Sequence, residues 1–258
     1  MNNVLECNNL NLSFKNHHAV KDFSISVKEK QVCGLIGPNG AGKTTVLNLL
    51  TKVYQPDNGS IIVNGRDATK MNSHQINLSG VARTFQNIRL FREMSILENI
   101  MVGFNSKMRY NLIDSIFKTP RYFKEEEEIR AKSMNLLSIF GMEKSADLIS
   151  KNLSYGVQRR VEILRALATN PSVLLLDEPA AGMNTSETSE LFEVINKIKN
   201  KFGTAFIVIE HNMNFIMNIC DYIYVLNQGE TIAEGIPSDI QKNKQVEEIY
   251  LGGQYVKD

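Results

Sequence analysis

An α/β fold built on a mainly parallel sheet is predicted by three features of this chain. Gln31 to Ile36 is an apolar strand that runs into Gly37-Pro38-Asn39-Gly40-Ala41-Gly42-Lys43-Thr44-Thr45, and Thr44 to Lys52 then carries the wide apolar cover of a helix. Ser172 to Leu176 and Thr204 to Ile209 are unbroken apolar runs, the pattern of strands buried on both faces of a parallel sheet. Strands and helices alternate through much of the chain. The chain has 258 residues, 43% of them hydrophobic and 22% charged, which suits one large α/β domain or one domain with an inserted subdomain.

Taken in order, residues 4 to 14 alternate in part and predict an edge strand. Phe23, Ile25 and Val27 alternate with serines and predict a half-buried strand. His17 and His18 lie in the turn between them and point to solvent. Gln55 to Gly59 is a turn, Ser60 to Asn64 a short strand, and Asn64-Gly65 a tight turn. Val81 to Gln86 reads as a strand ending at a polar residue, and Asn87 to Phe91 as a basic and aromatic loop. Ser95 is placed to N-cap a helix, with Glu98 as its capping-box partner. Residues 103 to 124 have no clear period and read as an insertion or loop. Lys124 to Phe140 is a helix with Ile129, Ser133, Leu136 and Phe140 on one face, and the acids Glu125 to Glu128 sit at its start. Leu153 to Ala168 opens and continues another helix. Ser186 to Asn200 and Asn212 to Cys220 are helices, and Tyr222 to Leu226 and Thr231 to Ala233 are strands joined by a turn. From Pro237 onward the tail has helical character.

Composition narrows the function. A net charge of +1 leaves no electrostatic footprint for nucleic acid. No apolar run approaches the ~18 residues of a membrane span, and the first residues lack the pattern of a signal peptide. Cys7, Cys33 and Cys220 are scattered without metal-type spacing and read as packed thiols of a reducing compartment.

The chemistry is carried by Gly37 to Thr45, which reads G-x-x-x-x-G-K-[ST], a phosphate-binding loop. Its glycines turn backbone N–H groups inward, and the following helix N-terminus adds to that nest. Lys43 would reach the β- and γ-phosphates and the Thr44 hydroxyl would ligate Mg²⁺. Leu174-Leu175-Leu176-Asp177 delivers an acid to the sheet end, where α/β folds bind ligands. Asp177 would hold Mg²⁺, and Glu178 would act as general base on the attacking water. An Asp-Glu pair after a strand also suits a plain helix cap. Gln86 alone is an ordinary loop residue and His211 alone an ordinary structural one. Ser154 and Gly156 suit either an N-cap or an anion. Phe14 fits core packing or stacking on a base.

Together these segments resemble the ATP-binding subunit of ABC transporters over nearly the whole chain. The family's signature is usually Leu-Ser-Gly-Gly-Gln. Here it is Leu153-Ser154-Tyr155-Gly156-Val157, with Gln158 one place late. The segments Gly80 to Phe91, Leu153 to Glu162, Asp177 to Asn184 and Tyr250 to Gly253 resemble more narrowly the ATPases of branched-chain amino acid importers (LivG type). That resemblance implies an ABC ATPase core, residues 1–86 and 161–258, with an antiparallel β-subdomain, and a helical subdomain at 87–160 carrying the signature. It implies that Phe14, assisted by Val20, stacks on adenine. Gly37, Pro38, Asn39, Gly40, Ala41, Gly42, Lys43, Thr44 and Thr45 hold ATP, and Gln86 touches Mg²⁺ or water. Ser154 and Gly156 contact the γ-phosphate on an opposite subunit, with Tyr155, Gln158 and Asn184 at the same interface. His211 senses the γ-phosphate and supports Glu178.

The expected cofactors are ATP and Mg²⁺. The expected partners are membrane permease subunits, a second ATPase subunit packed head-to-tail, and, indirectly, a substrate-binding protein. The expected place is the cytoplasmic face of the cell membrane. The alternatives are urea or amide import, lipopolysaccharide export and, further off, an ABC-type DNA or chromosome ATPase.

Overall fold

The computed structural model describes residues 2–15, 17–104 and 112–252. Two sheets dominate it. The larger has six strands in the order β10-β9-β3-β8-β7-β6. These are β3 (Val32–Ile36), β6 (Val81–Arg83), β7 (Val173–Asp177), β8 (Ala205–Ile209), β9 (Tyr222–Asn227) and β10 (Glu230–Gly235). All neighbours pair in parallel except β10 with β9, which are joined through Gln228 and Gly229, both at positive φ. The second sheet is antiparallel, in the order β2-β1-β4-β5: β1 (Asn3–Phe14), β2 (His17–Lys28), β4 (Asn58–Val63) and β5 (Arg66–Asp67). β1 pairs with β2 on one side and β4 on the other, so it is an inner strand and not the expected edge. The sequence of one strand cannot show that a segment some 50 residues later will add to it.

Period-two alternation on the parallel strands separates the core into two layers. On one face, Val32, Ile36, Leu174, Leu176, Phe206 and Val208 meet α3 (Ile96–Phe104), α5 (Pro120–Ile139), α6 (Tyr155–Ala168), α7 (Thr185–Phe202) and α8 (Met213–Ile219). On the other, Cys33, Leu35, Val173, Leu175, Ile207 and Ile209 meet α1 (Lys43–Leu50) and the antiparallel sheet. Burial on both faces explains the unbroken apolar runs. All three cysteines are buried and free, and burial pushes the Cys7 and Cys33 thiols up to about 12.

Ser95 caps α3 as expected: its backbone N–H donates to Glu98 Oε2 at 2.7 Å and its hydroxyl accepts from Glu98 N at 3.2 Å. A short helix, α2 (Ser73–Leu78), is capped by Asn72 and Gln75 and was not legible from periodicity. Of the stretch 103 to 124 expected to be a loop, residues 105–111 lie outside the described residues. The remainder is largely helical, with α4 (Leu112–Phe117) followed by α5. α5 starts at Pro120, capped by Thr119, so the acids Glu125 to Glu128 follow the first turn rather than form it. Two last helices, α9 (Pro237–Gln241) and α10 (Lys244–Gly252), close the fold. Gly253 of the quoted terminal motif lies outside the described residues. Among the described residues, no helix is long and apolar enough to cross a membrane.

Candidate active site

The C-terminal ends of β3, β8, β7 and β6 are neighbours in the sheet, and each delivers part of one site. β3 runs into the phosphate loop, and α1 leaves it with Gly42 as N-cap in the left-handed region. Two loop glycines are required by close backbone approach. A Cβ on Gly37 would come within 2.2 Å of Leu226 O, and one on Gly42 within 2.7 Å of Ala19 O. Lys43 is buried, and its ammonium donates to Gly37 O at 2.7 Å and Pro38 O at 2.9 Å. Burial pulls its pKa below the ordinary lysine value, while Glu178 and Asp177 act to raise it. The loop borders a cleft of about 350 Å³ lined also by Phe14, His17, His18, Ala19, Glu178, Ile209, His211, Gln228 and Gly229.

Phe14 is 45% exposed, stands edge-on to Tyr54 and faces this cleft, so it is not a core residue. Val20 is fully buried in the layer beneath. The cleft wall is formed instead by its β2 neighbours His17, His18 and Ala19, which corrects the expectation that Val20 assists Phe14.

At the end of β7, Asp177 Oδ2 pairs with Arg83 at 2.7 Å, and Arg83 also donates to Asn48 of α1 at 2.7 Å. Glu178 follows with φ 47, and its N–H bonds to Ile209 O at 2.9 Å. This left-handed turn at a non-glycine residue is sterically costly and is held by the strand beside it. The Glu178 carboxylate is bracketed: Gln86 Nε2 donates to Oε2 at 2.8 Å and His211 Nε2 lies 3.0 Å from Oε1. Facing a carboxylate in its ionised form, which only accepts, Nε2 is the ring nitrogen placed to donate. Each oxygen keeps a further lone pair for a water. Glu210, at the end of β8, is buried and pins this corner. It accepts from Ala180 N at 2.6 Å and His211 N at 3.1 Å. Burial raises its pKa, and the backbone N–H groups oppose that.

The signature residues lie elsewhere on the chain. Among the described residues, Ser154, Tyr155, Gly156, Gln158 and Asn184 do not line the cleft. Ser154 N-caps α6 and is exposed, with no side-chain bond to its helix. Gln158 folds back onto Leu153 O at 2.8 Å. Gly156 is buried where a Cβ would meet Glu187 Oε1 at 2.7 Å, and Glu187 forms the capping box of α7 with Asn184. Gly156 and Asn184 thus both serve the α6–α7 contact within one chain.

Arg83, Glu210, Arg159 and Glu162 were not singled out in the sequence. Glu210 had the same signal as Asp177, an acid ending a buried strand. Arg159 and Glu162 lie on the buried face of α6 with Gly156 and Ile163, at helical spacing. A charged pair on an apolar stripe was the mark to follow.

A family model described as ABC transporter matches residues 20–181, well over half of the chain. The high-affinity branched-chain amino acid transport ATP-binding protein LivG of Salmonella typhimurium is 42% identical over 96% of this chain and 98% of its own. BraF of Pseudomonas aeruginosa, described in the same words, is 41% identical over the same shares. The lipopolysaccharide export system ATP-binding protein LptB of Haemophilus influenzae is 32% identical over 98% of each chain. Among solved structures, the ADP conformation of MJ1267, an ATP-binding cassette of an ABC transporter, superposes with a TM-score of 0.85 at 32% identity. That match covers 98% of this chain and 100% of MJ1267. The chain therefore belongs to the ABC transporter family, as one of its ATP-hydrolysing cassettes.

Proposed function

We infer that this ATPase energises an importer of branched-chain amino acids. The observation that carries the reading is the 42% identity to LivG along almost the entire chain, against 32% to LptB. Permease subunits in the membrane would carry the cargo, fed by a substrate-binding protein. The ATPase would sit at the cytoplasmic face, with residues 87–160 as the helical subdomain that meets the permease.

Phe14 offers its open face to the base. The N–H groups of Asn39 to Thr45 hold the phosphates, and Lys43 turns from the Gly37 and Pro38 carbonyls onto the β- and γ-phosphates. The hydroxyl of Thr44, the Asp177 oxygen not engaged by Arg83, and the amide oxygen of Gln86 form a set of hard oxygen donors that fits Mg²⁺. When bound, Mg²⁺ would neutralise phosphate charge. Glu178 takes a proton from the water as its oxygen bonds to the γ-phosphorus and the bond to the β-phosphate oxygen breaks. Gln86 and His211 hold the carboxylate oriented for that transfer.

The Ser154 hydroxyl is exposed, and it and the α6 N-terminus make no cap bond to each other. They suit the γ-phosphate of ATP held by a second subunit, with Tyr155, Gly156, Gln158 and Asn184 around them. Two ATP molecules would then be sandwiched head-to-tail, linking nucleotide binding to dimerisation.

Uptake of radiolabelled leucine, isoleucine, valine and urea by cells with and without this chain tests the cargo. Loss confined to the three amino acids is the expected result. Loss of urea uptake alone would transfer the mechanism to amide import. No change in any of the four would remove the import reading.

A further inference from the structure

We propose that Arg159 is a positioning residue for hydrolysis, acting through Gln86; the inference rests on the reading of Glu178 as general base. Arg159 has no exposed surface and is among the largest fully buried side chains of the protein. A guanidinium is buried only when it is neutralised and hydrogen-bonded. Here it makes four bonds. Nη1 donates to Phe85 O at 2.7 Å and Glu162 Oε2 at 2.8 Å, and Nη2 donates to Gln86 O at 2.7 Å and the Tyr155 hydroxyl at 3.0 Å. Glu162 adds a contact of its own, accepting from Arg89 N at 3.1 Å. One turn of α6 thus fixes the backbone of Phe85, Gln86 and Arg89.

The Gln86 side chain is exposed. Its amide nevertheless meets Glu178 Oε2 at 2.8 Å. The two carbonyls held by Arg159 set where that amide starts. Two bonds from one planar fork define the position and direction of the peptide, which a single point charge does not. Tyr155 ties the same fork to the exposed start of α6. A contact chain therefore runs from Tyr155 through Arg159 and Gln86 to Glu178.

The test uses the full chain with MgATP and four variants: Arg159→Lys, Tyr155→Phe, Gln86→Ala and the combination of Arg159→Lys with Gln86→Ala. Lysine keeps the charge beside Glu162 but presents it as a compact point, without the rigid planar fork that reaches both carbonyls, Glu162 and Tyr155 together. Its kcat is expected to fall about tenfold to a hundredfold with KM for ATP within twofold. In the Gln86→Ala background the same change is expected to add nothing, because its route is already cut. Tyr155→Phe removes one hydroxyl from a 41% exposed side chain and leaves folding intact. It is expected to lower kcat severalfold, and again only when Gln86 is present. Effects that multiply in the double variant would overturn the proposal, as would a kcat unchanged in Tyr155→Phe should Arg159→Lys not fold. Full turnover in Glu178→Gln would instead strike the reading of Glu178 as general base, an outcome separate from the Arg159 comparison.

Discussion

Seven consecutive residues, Asn39 to Thr45, line the phosphate half of the cleft, whereas the hydrolytic half brings Glu178 and His211 to the wall from two strand ends, with Gln86 bonded to Glu178 and Glu210 to the His211 backbone. The first half is fixed by backbone: glycines at positive φ, a helix N-terminus, and a lysine folded onto its own loop. The second half is fixed by side chains that meet only because β6, β7 and β8 lie side by side. A local cradle tolerates little change in any of its residues. A bracketed carboxylate depends on groups more than 30 residues away on either side.

The sharpest way to separate the halves is Glu178→Gln. It leaves the loop intact and removes the base. Phosphate release is expected to drop by roughly 10²- to 10⁴-fold while ATP affinity stays near the parent value. ATP should then hold the protein as a dimer in size-exclusion chromatography. Full turnover in a monomeric variant would take the general-base role away from Glu178.

Lys43→Ala attacks the other half. Charge-assisted bonds to phosphate contribute about 1.5–3 kcal/mol, so nucleotide affinity is expected to fall roughly tenfold to a hundredfold. The hydrolytic bracket stays in place, because none of Gln86, Glu178 or His211 bonds to Lys43. Equal affinity in calorimetric titration would show that the loop is not the cradle.

The same division decides what could be read in the sequence. The loop was legible because its function lies in a contiguous pattern with a strand before it and a helix after it. β7 and β8 were legible because burial on both faces demands unbroken apolar residues. β1 was misplaced to an edge because neighbours in a sheet are set by chain topology. Val20 and Ala19 differ by one residue along β2, yet one lies in the core and the other on the cleft, at an irregularity in the pairing with β1. The roles of Arg83 and Arg159 were invisible because their partners, Asp177 for one and the carbonyls of Phe85 and Gln86 for the other, are some 70 to 90 residues away.

Phe14 and Val20 turn that one-residue difference into an experiment. Phe14→Ala removes a side chain that faces the cleft, and loss of stacking on a base is expected to weaken ATP binding roughly tenfold, from about 1–3 kcal/mol per stacked base. Thermal stability should barely move, because Phe14 is 45% exposed. Val20→Ala should do the reverse. It deletes two buried methyl groups, lowering stability by about 1–2 kcal/mol with ATP affinity unchanged. A nucleotide defect in Val20→Ala would return that residue to the cleft.

The smallest effect expected is at Asn184, where a single side chain is assigned two jobs. Its Oδ1 accepts from Glu187 N at 3.0 Å, and Glu187 Oε2 accepts from Asn184 N at 3.1 Å. Loss of that cap in Asn184→Ala should cost about 1 kcal/mol, a shift of roughly 2–4 °C in Tm for a chain of this size. It should also loosen Glu187 against Gly156, where the two helices touch. Asn184→Asp keeps the acceptor and adds a negative charge that the α7 N-terminus favours. Tm should therefore recover in Asn184→Asp. If capping is the whole role, ATP turnover recovers with it. If Asn184 also faces the second subunit, the added charge near a bound γ-phosphate lowers turnover in a variant as stable as the parent. Stability and turnover moving together across the pair would confine Asn184 to its own helix.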